Sequence, residues 1–252
     1  MSDTLQLPSV NRVGLDAPLD WLAGGLADFL KIPVPCSLYG CALLMASVGL
    51  SALLIAGGAS VWIIILAGGF MLVGPMLGMG LYRAGQMLER GQQPTVSDVL
   101  FVRSAFRRDL VFLGLALLMI YFIWFEVGHI LYGLSTYQLH ENPFQIVGFM
   151  LTDPAGLRLT LIGSAVGGAI AFVAFMLVVV SAPMLLNEET DVFIATVTSV
   201  RCVLTNFLPM LFWAAIIAGL TLIGIATAFL GLIIIFPVIG LASWRAYRTL
   251  VN

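Results

Sequence analysis

The charges of this 252-residue chain are so widely spaced that the uncharged runs between them dictate its architecture. Between Lys31 and Arg83 lie 51 residues without an acidic or basic side chain; residues 159–187 form an uncharged run of 29, and residues 202–244 one of 43. A hydrocarbon layer about 30 Å thick is crossed by about 20 helical residues rising 1.5 Å each. The first and last runs are therefore each long enough for two spans. Gly57, Gly58 and Ser60 supply the turn in the first, and the region 219–231 supplies it in the last. Residues 159–187 make one long span, entered through Asp153 as helix cap with Pro154 at the first helical position. A further span runs over residues 109–132, with Glu126 its one charged residue past the start. The expectation is an all-α polytopic membrane protein with six transmembrane helices. Only 10% of residues are charged, against about 25% in soluble domains, which excludes a soluble fold and intrinsic disorder alike.

Basic residues orient these spans. Arg12, Lys31, Arg83, Arg90, Arg103, Arg107, Arg108, Arg201, Arg245 and Arg248 fall on one side, and Arg158 alone falls on the other. The richer side is the cytoplasmic one, so both termini are expected inside and the loop 137–154 outside. Trp21 and Trp244 would then mark the inner interface, and Trp62 and Trp124 the outer one. The first 31 residues carry Asp3, Arg12, Asp16, Asp20, Asp28 and Lys31 with no unbroken apolar core, so no cleaved secretory signal is expected. A net charge of −2 lacks the basic excess that collects phosphates, and nucleic acid is excluded as a partner.

The segments between spans have a pattern of their own. Leu19, Leu22, Leu26, Phe29 and Leu30 recur at helical spacing with Asp20, Asp28 and Lys31 off that stripe, which describes an amphipathic helix on the membrane surface. Thr95 and Asp98 resemble a capping box leading into Val99, Val102 and Phe106. Glu188, Glu189 and Asp191 acidify the start of a third such helix through Val192, Val200 and Val203. Each precedes a membrane hairpin. In addition, Pro75-Met-Leu-Gly-Met-Gly-Leu-Tyr-Arg-Ala84 aligns without a gap on Pro237-Val-Ile-Gly-Leu-Ala-Ser-Trp-Arg-Ala246, and a degenerate copy begins at Pro183. The chain thus reads as one integral membrane domain over residues 1–252, built from three parallel repeats of amphipathic surface helix plus hairpin, at about 17–90, 95–187 and 188–250.

Few residues carry chemistry. Glu126 and His129 lie one helical turn apart within a span. They read either as a polar pair that snorkels to the outer interface and pairs with Arg158, or as part of a weak metal site with His140 and Glu141. A di-iron bundle would need Glu-x-x-His on two helices and further Glu residues on two more, which are missing. Pro75, Pro183 and Pro237 each remove a backbone hydrogen bond in the inner half of a span and are candidate kinks, around a cavity open to the cytoplasm or simply shaping the bundle. Arg83, Arg103, Arg107, Arg108, Arg245 and Arg248 are candidates for contact with anionic headgroups or a partner, or fix topology alone. Cys36, Cys41 and Cys202 match neither a zinc pattern nor a disulfide framework, and no cofactor is expected.

The stretch Phe149-Met-Leu-Thr-Asp-Pro-Ala-Gly-Leu-Arg158 is joined by Ser181-Ala-Pro-Met-Leu-Leu186, by Ala195-Thr-Val-Thr-Ser199 within a surface helix, and by residues 206–213 followed by Gly231 and Pro237. Together they resemble a bacterial family of predicted integral membrane proteins of unknown function. The likeness covers most of residues 30–250 and is strongest after residue 149, and it implies residence in a bacterial inner membrane. Members of that family often carry His where this chain has Leu241. Some bear the label cytochrome c oxidase subunit I. The catalytic haem-copper subunit needs several histidine ligands within its spans, and this chain has two histidines in all. The leading expectation is a non-enzymatic structural, accessory or assembly partner of a membrane complex, with a respiratory complex as the label's suggestion. The alternative is a small-solute or lipid transporter or channel built from the three repeats.

Overall fold

The computed structural model describes residues 7–59, 62–102, 107–135 and 143–251. Among them the chain is helical, with α1 (Ala17–Lys31), α2 (Pro33–Ala56), α3 (Trp62–Leu77), α4 (Met79–Glu89), α5 (Val96–Leu100), α6 (Arg108–Ser135), α7 (Pro143–Thr152), α8 (Pro154–Val178), α9 (Ser181–Asn187), α10 (Val192–Thr205), α11 (Phe207–Ala226) and α12 (Leu232–Leu250). The one piece of β pairing among the described residues is the bridge Val10 to Val251, which ties the N-terminal arm to the end of α12.

Among the described residues four stretches are long and apolar enough to cross a membrane: α2, α6, α8 carried on into α9, and α11. The uncharged runs fold as helix pairs where two spans were expected, but the second members are shorter. The 16 residues of α3 reach only about 24 Å at 1.5 Å each, and α12 ends in a segment bearing Arg245 and Arg248.

A proline explains the break between α8 and α9. Pro183 lacks an N–H and its ring crowds the carbonyl four residues back, at Val179. The helix accordingly breaks between α8 and α9, and the Val180 N–H donates to Ser199 Oγ of α10 at 3.1 Å. Pro75 lies inside α3, which stops two residues later at Leu77, before Gly78, and the Tyr39 hydroxyl of α2 donates to the Leu77 carbonyl at 2.5 Å. Neighbouring helices thus repair backbone that the bilayer could not solvate. Pro237 lies inside α12, which runs on unbroken.

The helix starts at Thr95 and Asp153 form as the sequence predicts. Thr95 and Asp98 make a full capping box, and Asp153 accepts from the Ala155 and Gly156 N–H groups. Three expectations need correction. The outer loop contains α7, whose apolar residues pack on α8 and whose Met150 carbonyl accepts from Thr160 Oγ1 at 3.0 Å. The second surface helix is only the five residues of α5, with Arg103 and Phe106 outside the described residues. Third, α1 packs the face off its leucine stripe against protein. It buries Trp21, Gly25, Asp28 and Phe29 against its neighbours and turns Leu19, Leu26 and Leu30 outward. Trp21 packs edge to face on Trp213 at 5.8 Å and Trp244 is buried, so neither faces headgroups.

The assembly centres on α12, flanked by α1, α2, α4 and α11. Two glycines permit this. A Cβ on Gly25 of α1 would lie 2.7 Å from the Val238 carbonyl oxygen, and one on Gly40 of α2 would lie 2.3 Å from that of Ile233. Cys36, Cys41 and Cys202 are free thiols.

The turn from α11 to α12 holds Ala228 and Phe229 at φ of 52° and 67°, a conformation that costs an L-residue about 1–2 kcal/mol. Ala228→Gly is expected to raise the thermal unfolding midpoint in detergent, with a gain of about 1 kcal/mol after the extra freedom glycine gives the unfolded chain. An unchanged or lowered midpoint would show that the turn is not strained.

Candidate functional site

Helices α3, α8, α11 and α12 do not close on one another along their whole length. They surround a cavity of about 630 Å³, within the size range of small-molecule sites. The opening has a simple cause in side-chain size. Gly163, Ser164, Gly167, Gly168 and Ala171 line it from α8, and Ala214, Ala215 and Ala218 from α11. Aromatic rings of Phe70, Trp124, Phe172 and Phe236 supply more of the wall. The polar side chains in the lining are the hydroxyls of Tyr82, Ser164, Thr221 and Ser243 and the indole of Trp124, and no charged residue is among them. Such a lining solvates an apolar molecule and leaves a charged one without a partner.

One helical turn past Tyr82 and Ser243, that end of the helices is crossed by a directed chain of hydrogen bonds. The Arg83 guanidinium donates to the Gln86 side-chain oxygen. Gln86 Nε2 donates to Asn187 Oδ1 at 2.8 Å, Asn187 Nδ2 donates to the Tyr247 hydroxyl at 3.1 Å, and that hydroxyl donates to Glu188 Oε1 at 2.5 Å. Every bond points the same way, from a cation to a carboxylate, so each polarises the next. The chain joins α4, α9 and α12, the segments that follow Pro75, Pro183 and Pro237. Arg107 steadies its far end by donating to the Leu185 and Glu188 carbonyls, both at 3.2 Å.

Two ion pairs clamp α12 from either side. Arg245 Nε lies 2.6 Å from Asp28 Oδ2 of α1, and Lys31 Nζ lies 2.9 Å from the other Asp28 oxygen. Burial pushes the Asp28 carboxyl up, but hydrogen bonds from Arg245 and Lys31 together outweigh it and hold the group below its ordinary range. On the other side, Glu89 of α4 takes Arg248 Nε at 2.9 Å and Trp244 Nε1 at 3.1 Å.

The residues singled out by sequence are scattered. Glu126 and His129 are both exposed on α6, where His129 stands edge-on to Trp62 at 5.1 Å. Arg158 is exposed on α8 and makes no ion pair with Glu126 among the described residues. His140 and Glu141 lie outside the described residues, within which no group of three or more His, Cys, Asp or Glu could hold a metal ion. Pro75 lines the cavity, whereas Pro183 and Pro237 are not among its lining residues. Of the six arginines proposed for headgroups or a partner, Arg83, Arg107, Arg245 and Arg248 bond within the chain and Arg108 lies over the Phe112 ring. Arg103 is outside the described residues. Sequence reasoning missed Asp28, Gln86, Asn187, Glu188 and Tyr247. The one signal was position, since Gln86, Asn187 and Tyr247 each follow one of the three prolines Pro75, Pro183 and Pro237.

Residues 63–187 match the model of a family described as predicted integral membrane protein (DUF2189). The match runs from α3 through α9 and bears out the likeness to a family of predicted integral membrane proteins of unknown function, although the stretches after residue 187 that also suggested it lie outside the matched segment. No curated protein and no solved structure matches the chain.

The clamp and the directed chain predict graded losses of stability. Asp28 is 6% exposed, so Asp28→Ala should cost about 2 kcal/mol, as for a hydrogen bond to a charged group. Arg248 and Glu89 are 42% and 44% exposed, and Arg248→Ala should cost about 0–1 kcal/mol. Tyr247→Phe removes both a donor to a carboxylate and an acceptor, at about 2 kcal/mol. Because the Asp28 carboxyl is held below its ordinary value, its contribution is whole at neutral pH and is lost as pH falls through the lowered value. The stability gap between the native chain and Asp28→Asn should therefore narrow below about pH 4. Denaturation in detergent at several pH values checks all four statements; equal losses for Asp28→Ala and Arg248→Ala would contradict them.

Proposed function

We propose that this integral membrane protein is a non-enzymatic holder of a lipid-like molecule, which it binds in the cavity between α3, α8, α11 and α12 and passes on as a lipid transporter. The observation that carries this reading is the uncharged, small-residue lining of that cavity. A hydrophilic solute would find four hydroxyls, one indole and no ion there, whereas an apolar chain finds aromatic and aliphatic walls. Under this reading the protein has six spans in a bacterial inner membrane with both termini in the cytoplasm. The short α3 and the basic end of α12 complete the second and sixth spans by tilting or by thinning the bilayer. The three-repeat organisation is supported by the aligned residues Gly78 and Gly240, which line the same cavity.

A second reading, as accessory or assembly partner of a membrane complex, is favoured by α2. Over its 24 residues only Cys36 and Gly40 are buried, and Val34, Leu38, Met45, Val48 and Leu53 are all exposed. Lipid or the helices of another protein must cover it.

Purification in mild detergent followed by native mass spectrometry separates the two. The lipid reading predicts a retained apolar ligand on the isolated chain, lost when Ala218→Phe fills the cavity. A ligand-free native chain in a stoichiometric complex would overturn it in favour of the accessory role.

A further inference from the structure

We infer that the cavity admits the acyl chain of a membrane lipid sideways, through a slot between α8 and α11, while its cytoplasmic end stays shut. The inference rests on the lipid-holding reading and adds the route and the part of the ligand that enters. Residues that both line the cavity and are exposed mark its mouth. Those residues are Ser164 and Gly168 of α8 and Leu211, Ala215 and Leu222 of α11, and no exposed liner comes from another helix. Toward the cytoplasm the two helices are joined by Phe172 and Phe207, packed edge to face at 6.0 Å. Above that contact the facing residues are small, and a Cβ on Gly163 or Gly168 would meet nothing within 4 Å.

Depth decides what reaches this mouth. Both helices are among those able to cross a membrane. Leu211 and Leu222 stand about 6 and 22 Å along α11 from its start at Phe207, which places the slot at hydrocarbon level. The molecules waiting there are acyl chains. A headgroup does not follow, because a charge inside would find no counter-charge in the lining. The axial route is the costlier one. It crosses the chain from Arg83 to Glu188, and opening it strands buried Gln86 and Tyr247 at about 1–3 kcal/mol for each unsatisfied group.

The test uses the full chain reconstituted in vesicles of phosphatidylethanolamine and phosphatidylglycerol. These are doped with a phosphatidylcholine carrying a photoactivatable diazirine on its acyl chain, and labelled residues are mapped by mass spectrometry. Ala174 and Thr221 are buried liners, so only a chain inside the cavity can label them. The native protein should be labelled at both. Gly168→Trp and Ala215→Trp, which block the slot from opposite helices, should each lose that labelling. Gly133→Trp, at an open position on α6, should keep it. Interior labelling that persists in both slot variants would overturn the sideways route and leave the cavity reading standing. Labelling of outward-facing Leu161 and Leu204 without Ala174 or Thr221 in the native protein would overturn the cavity reading, and the route with it.

Discussion

A bilayer offers no water to an interrupted helix, and the rest of this structure depends on how two interruptions are made good. Pro183 breaks the long fourth apolar run at Val179 and Val180, and α3 stops two residues past Pro75. Two side-chain hydroxyls, Ser199 and Tyr39, take up the freed backbone groups. The breaks let α9 and α4 set off in new directions. That brings Asn187 and Gln86 against Tyr247 of α12, and the directed chain from Arg83 to Glu188 becomes possible. Where the helices diverge above this junction, the cavity opens. The floor follows from these breaks, and the chamber from the small residues of α8 and α11 that line it.

The third proline is handled differently. Pro237 sits in a helix that stays continuous, and α12 acts as the post on which the other elements hang. Its approach to α1 and α2 relies on Gly25 and Gly40, and its C-terminal half is gripped by Asp28 on one face and Glu89 on another. The N-terminal arm fastens the same end: Asn11 donates to the Thr249 carbonyl, and Asn206 links Asn11 and Val13 to the start of α11. Mixed dielectric surroundings make these contacts unequal. The Asp28 pair is sheltered on one side, whereas the Glu89 pair is wet on both.

Much of the architecture was legible because charge spacing and capping are local. The runs between Lys31 and Arg83 and over 202–244 fold as helix pairs, and the starts at Thr95 and Asp153 take the form their residues prescribe. What sequence concealed was tertiary. Asp28 lies off the leucine stripe of α1, which suggested a solvated face, yet that face meets α12 and Arg245 there neutralises the carboxylate. Glu188 read as part of the acidic start of α10, whereas it lies before the Asp191 cap and receives the Tyr247 hydroxyl. Glycines recur along α8 at residues 156, 163, 167 and 168. Gly167 does pack, against Trp124, but Gly163 and Gly168 face open space, and nothing in their spacing separates the two roles.

The central claim is that the cavity communicates with lipid and not with water. A single thiol placed on its wall, Thr221→Cys in a chain freed of Cys36, Cys41 and Cys202, measures this directly in sealed vesicles. The account predicts reaction with an apolar maleimide that partitions into the bilayer and none with a charged, membrane-impermeant thiosulfonate applied from either side. Fast modification by the charged reagent would contradict it, and would mark the cavity as part of an aqueous path.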